Sequence, residues 1–295
     1  MNILVTGGTG FIGSKLCQHL LARDEKVTVL TRRPESVKPP LRAISTLAAL
    51  ADDDVFDVII NLAGEPIANR PWTQHRRQVL RDSRVGLTRQ LFAYVERCKK
   101  PPALLINASA IGFYGDQGDH ILDENAEAVN DFSHQLCRDW EYQAQAFESL
   151  GVAVCILRIG LVLGGDGGFL SRLLLPFRCG LGGPIGDGQQ WMSWVHRDDV
   201  IGMIEFLIDH QVLRGVFNAT APHPVTNNEF TKQLAEQLHR PAFFRVPAVV
   251  LKYGLGDLSS LLLGSQRVHP VRIELAGYRF KYTHLNGALA QVLAP

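Results

Sequence analysis

The sequence predicts an α/β fold, a doubly wound parallel sheet with a smaller C-terminal α/β subdomain, on three observations. The first two-thirds of the 295 residues alternates short β-branched runs with helical stretches, as a parallel sheet covered on both faces requires. Three glycines at regular spacing, Gly7, Gly10 and Gly13, separate the first such run from the first helical stretch. From Leu163 the texture changes to glycine-rich loops, at 164–168 and 180–184, which mark an excursion away from the sheet.

Ile3-Leu4-Val5 reads as a buried strand, Gly13–Ala22 as the helix after it and Val27-Thr28-Val29-Leu30 as the next strand. Val58-Ile59-Ile60, Ala103-Leu104-Leu105-Ile106 and the run 152–157 continue the series. Between the last two, 132–150 reads as a helix capped by Asn130 or Asp131. The tail from Pro241 mixes short helices with turns, and no internal repeat interrupts the pattern.

Composition narrows the function classes. Lys+Arg 30 against Asp+Glu 29 gives a formal charge of +1, so no bulk field points to nucleic acid or to an anionic membrane. No apolar run is long enough for a membrane span, and the first residues lack the basic and apolar regions of a secretory signal. Cys17, Cys98, Cys137, Cys155 and Cys179 are scattered and never form a CxxC pair, which argues against a disulfide framework or a zinc site. A reducing, cytoplasmic setting is expected, with no metal.

Gly7-Gly8-Thr9-Gly10-Phe11-Ile12-Gly13 follows a strand directly and opens a helix directly. That spacing provides a tight turn, close backbone approach to a pyrophosphate and close packing of helix on strand, the requirements of a Rossmann dinucleotide loop. The helix N-terminus would carry the pyrophosphate on unsatisfied N–H groups. The second strand ends in Leu30-Thr31-Arg32-Arg33-Pro34, with no acid to bond a ribose 2′-hydroxyl. An arginine there can clamp a 2′-phosphate, so NADP(H) is expected over NAD(H), through Arg32 or Arg33.

With Thr-Gly-Gly-Thr-Gly-Phe-Ile-Gly at 6–13 and Asn61-Leu62-Ala63-Gly64 after a later strand, the chain resembles the NAD(P)-dependent epimerase/dehydratase family, extended short-chain dehydrogenases/reductases. Ser83-Arg84-Val85-Gly86-Leu87-Thr88 is similar to the family's Asn-Val-x-Gly-Thr helix, and 157–164 to its Leu-Arg-x-x-x-Val-Tyr-Gly strand. Gly186-Asp187-Gly188 followed by Trp194-Val195-His196-Arg197-Asp198-Asp199-Val200 resembles a further family segment, and Val216-Phe217-Asn218 a later strand. More narrowly, Asn61 to Ile67, Leu136-Cys137-Arg138-Asp139-Trp140-Glu141 and 175–186 look like the YfcH-type "epimerase family protein" branch. That branch has a small C-terminal domain of its own, which Arg245-Val246-Pro247-Ala248 and Gly264-Ser265-Gln266-Arg267-Val268 resemble.

The resemblance implies a Rossmann NADP-binding domain over 1–163 completed by parts of 190–220, a substrate-side excursion over 164–240 and a small helical domain over 241–295. It implies cofactor contacts from Gly7, Thr9, Gly10, Phe11, Ile12 and Gly13, from Thr31, Arg32 and Arg33, from Leu62, Ala63, Gly64 and Glu65, from Arg84 and from the backbone near Val162.

The family's catalytic pattern is not kept. Members usually carry Tyr-x-x-x-Lys on the helix after the fourth strand, where the ammonium lowers the phenol's pKa for proton exchange as hydride moves. With Glu141 as register mark, Lys falls on Cys137 and Tyr on Ser133. Two nearby donors remain as candidates, Ser109 at the end of a strand and Tyr114 just beyond it; packing and backbone bonding are their alternative roles. His196 reads as a loop histidine bonded to backbone, Asp198-Asp199 as the cap of a helix from Val200, and Trp191 and Trp194 as space-filling aromatics.

Two functions fit these residues. One is an NADP(H)-dependent oxidoreductase or epimerase, an isomerase-like enzyme acting on a small polar, sugar-like or nucleotide-linked compound, with Arg158, Arg172, Arg178 and Arg197 available to a diphosphate. The other is a catalytically silent NADP(H)-binding sensor or interaction protein. Oligomerisation is compatible with both.

Overall fold

The computed structural model of the chain describes residues 1–294. Seven parallel strands form the central sheet in the order Arg42–Ile44, Lys26–Leu30, Asn2–Thr6, Val58–Asn61, Leu104–Ala110, Ala153–Ile159 and Gly215–Ala219. The strand order reverses beside Asn2–Thr6, which opens a crevice at the carboxyl ends of the strands.

Alternation within each strand makes the two layers. Ile3, Val5, Val58 and Ile60 face one side and pack with Leu16 and Leu20 of the first helix and with Val200, Ile204 and Leu207 of Arg197–Asp209. Leu4, Ile59, Leu105 and Val154 face the other, against Leu91 and Val95 of Leu87–Arg97 and Ala144 of Phe132–Gln145. A third core joins Gly168–Arg178, Asn227–Leu238 and Leu285–Leu293 into the smaller subdomain, edged by short strand pairs such as Leu161–Leu163 with Trp194–His196.

The strands expected from sequence are present, and Arg42–Ile44 adds an edge strand. It follows Pro39-Pro40, is three residues long and starts on an exposed arginine, so it carries almost no hydrophobic signal. The expected helix over 132–150 is α-helical only over Phe132–Gln145 and tightens to a 3-10 turn over Ala146–Leu150. It ends at Gly151, with φ at 77°. Asp131 is its cap, accepting from the His134 N–H at 2.7 Å.

One expected cap is corrected. The helix placed near Val200 begins at Arg197, and His196 caps it: Nδ1 accepts from the Asp198 N–H at 3.1 Å, while Nε2 meets Gln291 Oε1 at 2.8 Å. The acids are engaged elsewhere. Asp198 pairs with Lys15 at 2.6 Å, and Asp199 accepts from the backbone N–H groups of Lys281 and Tyr282, tying the C-terminal segment to the sheet domain. The tail also contributes a strand, Arg267–Val268, paired with Ile121–Leu122. Among the described residues no helix is long and apolar enough to cross a membrane.

Candidate functional site

The loop between the first strand and first helix is built by backbone contact. Gly7 adopts φ 70°, and a Cβ on it would lie 2.9 Å from Leu62 and Ala63 backbone atoms. A Cβ on Gly13 would lie 2.2 Å from the Gly7 carbonyl oxygen, so helix and loop touch there without a side chain. Gly10 differs: a Cβ would meet only Gly7 O, at 3.1 Å, because Thr9 and Gly10 face solvent. Among the described residues the N–H groups of Phe11 and Ile12 donate to no protein acceptor, and no side chain caps the helix. A helix N-terminus with free donors and an open glycine face fits a dinucleotide pyrophosphate. Phe11 fixes the loop from below, its ring packed against the glycine-rich turn 164–168.

The ends of the flanking strands converge on this loop because Asn2–Thr6 lies between Lys26–Leu30 and Val58–Asn61. Thr31 is pinned to the edge strand through its N–H to Ile44 O at 2.9 Å, which leaves Arg32 and Arg33 exposed. Arg32 Nη1 donates to Glu65 Oε1 at 2.9 Å, and Arg76 Nη1 lies 3.4 Å from Glu65 Oε2. Burial opposes ionisation of Glu65, but these two guanidiniums outweigh it and hold the carboxyl below its usual range. Two arginines thus share one carboxylate, with Arg33 exposed next to Arg32, an electropositive balance suited to a phosphate. Arg76 is a candidate site residue that sequence reading missed; its Nε is buried without a partner among the described residues, and its helix Gln74–Arg81 is announced only by the Thr73 cap.

Beneath the loop runs a closed polar network. Thr6 Oγ1 donates to Asn61 Oδ1 at 2.6 Å, and Asn61 Nδ2 donates to Asn107 Oδ1 and Thr88 Oγ1. Thr88 Oγ1 also receives Trp140 Nε1 and donates to Arg84 O at 2.8 Å. Arg84 sits on a π-turn, Asp82–Gly86, whose shape that last bond holds. Burial pulls the pKa of its guanidinium down.

Ser133 and Cys137 lie on the buried face of Phe132–Gln145, in the register expected for Tyr and Lys. Burial, with Glu141 nearby, pushes the Cys137 thiol up to about 12, so it stays neutral. The geometry counts against the expected catalytic pair. Tyr114 has no exposed surface; its hydroxyl donates to Asn218 Oδ1 at 2.7 Å and accepts from Arg158 Nη1 at 3.1 Å, and burial raises its pKa. Ser109 is buried with its Oγ donating to Glu141 Oε1 at 2.6 Å. Both belong to a buried network built on the Arg158–Glu141 ion pair, which leaves no face for a substrate.

Residues 3–219 match the NAD dependent epimerase/dehydratase family. The chain belongs to that family. Residues 246–292 match a domain of unknown function, DUF1731. A chloroplastic epimerase family protein SDR39U1 homolog of Arabidopsis thaliana is 34% identical over 303 residues, covering 99% of this chain and 87% of the relative. An epimerase family protein of Staphylococcus saprophyticus is 36% identical over 294 residues, covering 98% of each. The crystal structure of human SDR39U1 (isoform 2) with NADPH superposes at a TM-score of 0.90, with 33% identity and 99% of both chains covered.

In this member of the epimerase/dehydratase family, the four arginines expected to serve a diphosphate are largely committed. Arg158 is buried against Glu141, Arg172 holds Ala68 and Asn69, and Arg197 pairs with Asp166 at 2.6 Å. Arg178 stays exposed and lines, beside the turn 164–166, a cavity of about 430 Å³ whose Lys15 and Arg197 are already paired to acids. Arg267 was missed: its guanidinium lies 4.2 Å from the Trp191 ring centroid, and its Nε is buried without a partner among the described residues. Trp194 fills space, as expected.

Proposed function

We propose that this chain binds NADP(H) and is an oxidoreductase or epimerase-like enzyme acting on a small polar, anionic compound. The observation that carries the reading is the glycine loop with unpartnered Phe11 and Ile12 N–H groups beside Arg32, Arg33 and Arg76. Gly7, Thr9, Gly10, Phe11, Ile12 and Gly13 would hold the pyrophosphate, and the three arginines the adenosine phosphate. Leu62, Ala63, Gly64, Glu65 and Arg84 would line the path toward the nicotinamide, with Val162 beyond it. The human protein of the NADPH-bound structure is similar over its whole length, which supports this choice of cofactor.

The bound nicotinamide would give or accept hydride. Around it the chain supplies no phenol and no lysine at the usual positions, so its own residues would bind and orient substrate and exclude water. The same substitutions, Ser133 and Cys137, favour a second reading, a cofactor-binding protein without turnover. Incubating the protein and NADPH with a broad metabolite extract, while following nicotinamide absorbance and product masses, separates the two. Substrate-dependent NADPH oxidation supports the enzyme; binding without turnover across the extract supports the silent protein.

A further inference from the structure

Phe132–Gln145 carries no cation at the register where the family places a lysine, since Cys137 remains a thiol there. A positive charge reaches the same place from another element. Arg84 puts its Cζ 5.4 Å from the ring centroid of Trp140, which is three residues past Cys137 on that helix. Gly64 also lies against it, where a Cβ would sit 3.0 Å from Cζ.

The hydrogen bonds of this guanidinium are few and neutral. Nη2 donates to Glu65 O at 3.0 Å, while Nη1 reaches Leu80 O and Ser83 Oγ only at 3.4 Å. Among the described residues Nε–H and the second Nη2–H have no acceptor, and no carboxylate pairs with Arg84. Its neighbours are paired: Arg32 and Arg76 share the carboxylate of Glu65, Arg81 pairs with Asp139 and Arg158 with Glu141. A half-buried cation without a counter-ion is costly, and an anionic ligand would offset that cost. Ser133 Oγ, on the buried face of that helix, likewise donates to no other group among the described residues.

We propose that Arg84 is the anion grip of the site, and that the substrate carries a carboxylate which docks on it beside the nicotinamide. This rests on the cofactor reading above and names the substrate class for it: a small oxo or hydroxy acid. The donors left free on this planar guanidinium can bond carboxylate oxygens. An arginine stays charged at any working pH, so it supplies fixed electrostatic stabilisation where a Tyr-Lys pair would supply a proton relay. The Asn61–Thr88–Trp140 network holds the turn that aims it.

The test measures oxalate, and its neutral diamide oxamide, binding to the NADP⁺-loaded protein by calorimetry, alongside NADPH affinity. Oxalate should bind the wild type at least about tenfold tighter than oxamide. R84Q should lose oxalate affinity by at least about tenfold more than it loses NADPH affinity, and R84K should recover part of the oxalate binding. A wild type that binds NADPH but not oxalate, an R84Q that binds oxalate unchanged, or an R84Q that loses NADPH and oxalate in parallel each overturns the proposal. A wild type that binds no NADPH overturns the cofactor reading, and this proposal with it. Should R84Q fail to fold, phenylglyoxal labelling of the wild type mapped by peptide mass decides: oxalate should protect Arg84 and oxamide should not, and equal labelling contradicts the assignment.

Discussion

Arg158 and Glu141 face each other through two parallel hydrogen bonds, Nε to Oε1 at 2.9 Å and Nη2 to Oε2 at 2.8 Å, each side chain 5% exposed. The strand Ala153–Ile159 supplies one partner and the helix Phe132–Gln145 the other, so the pair locks helix to sheet. Removing one partner leaves the other charge buried and alone. Glu141→Ala should therefore cost about 3–5 kcal/mol, read as a fall in the urea midpoint at unchanged slope. A loss below about 1 kcal/mol would mean that water reaches Arg158.

Tyr114 hangs from the same pair. Tyr114→Phe leaves Asn218 Oδ1 and an Arg158 N–H unpartnered, which should cost about 1–3 kcal/mol of stability. NADPH affinity, and any turnover once a substrate is found, should be unchanged within about threefold at a temperature where the variant is folded. A hundredfold fall in kcat would return Tyr114 to the chemistry.

Gly10 and Gly13 should separate binding from folding. Gly13→Val drives a side chain into the Gly7 carbonyl and should destabilise on the order of 4 kcal/mol. Gly10→Val meets little protein, so the fold should hold while NADPH affinity falls at least about a hundredfold. Thermal melting and calorimetry on both variants check this, and identical behaviour would refute the division of roles.

His196 should set a pH dependence. Burial lowers its pKa against the pull of the Gln291 hydrogen bond and of Asp198 and Asp199, while Lys15 adds to the lowering. The unfolded chain then binds a proton more readily than the fold. The contribution is intact above the unfolded value of about 6.5 and is lost as pH falls through the folded value. His196→Asn keeps a capping side chain without the titration. Urea midpoints between about pH 7.5 and pH 5 should fall less in that variant than in the wild type.

What the sequence made legible was local. Gly7, Gly10 and Gly13 sit in one strand–turn–helix, and their spacing alone carries the steric requirement seen at Gly7 and Gly13 and the open face at Gly10. The committed chemistry was not legible, because it depends on partners distant in sequence. Nothing near Tyr114 announces Asn218, and nothing near Arg84 announces Gly64 and Trp140. The cap at His196 was misassigned for a similar reason: two aspartates are better caps by type, but Lys15 and the 281–282 backbone had already engaged them.

The central claim is NADP(H) selectivity through the end of the second strand. Calorimetric titration of the wild type and of Arg32→Ala with NADPH and with NADH tests it most directly. NADPH should bind the wild type at least about tenfold tighter, with the gap shrinking in Arg32→Ala because one charge-assisted contact to the 2′-phosphate is gone. Equal wild-type affinities, or a preference for NADPH that Arg32→Ala leaves untouched, would contradict the account.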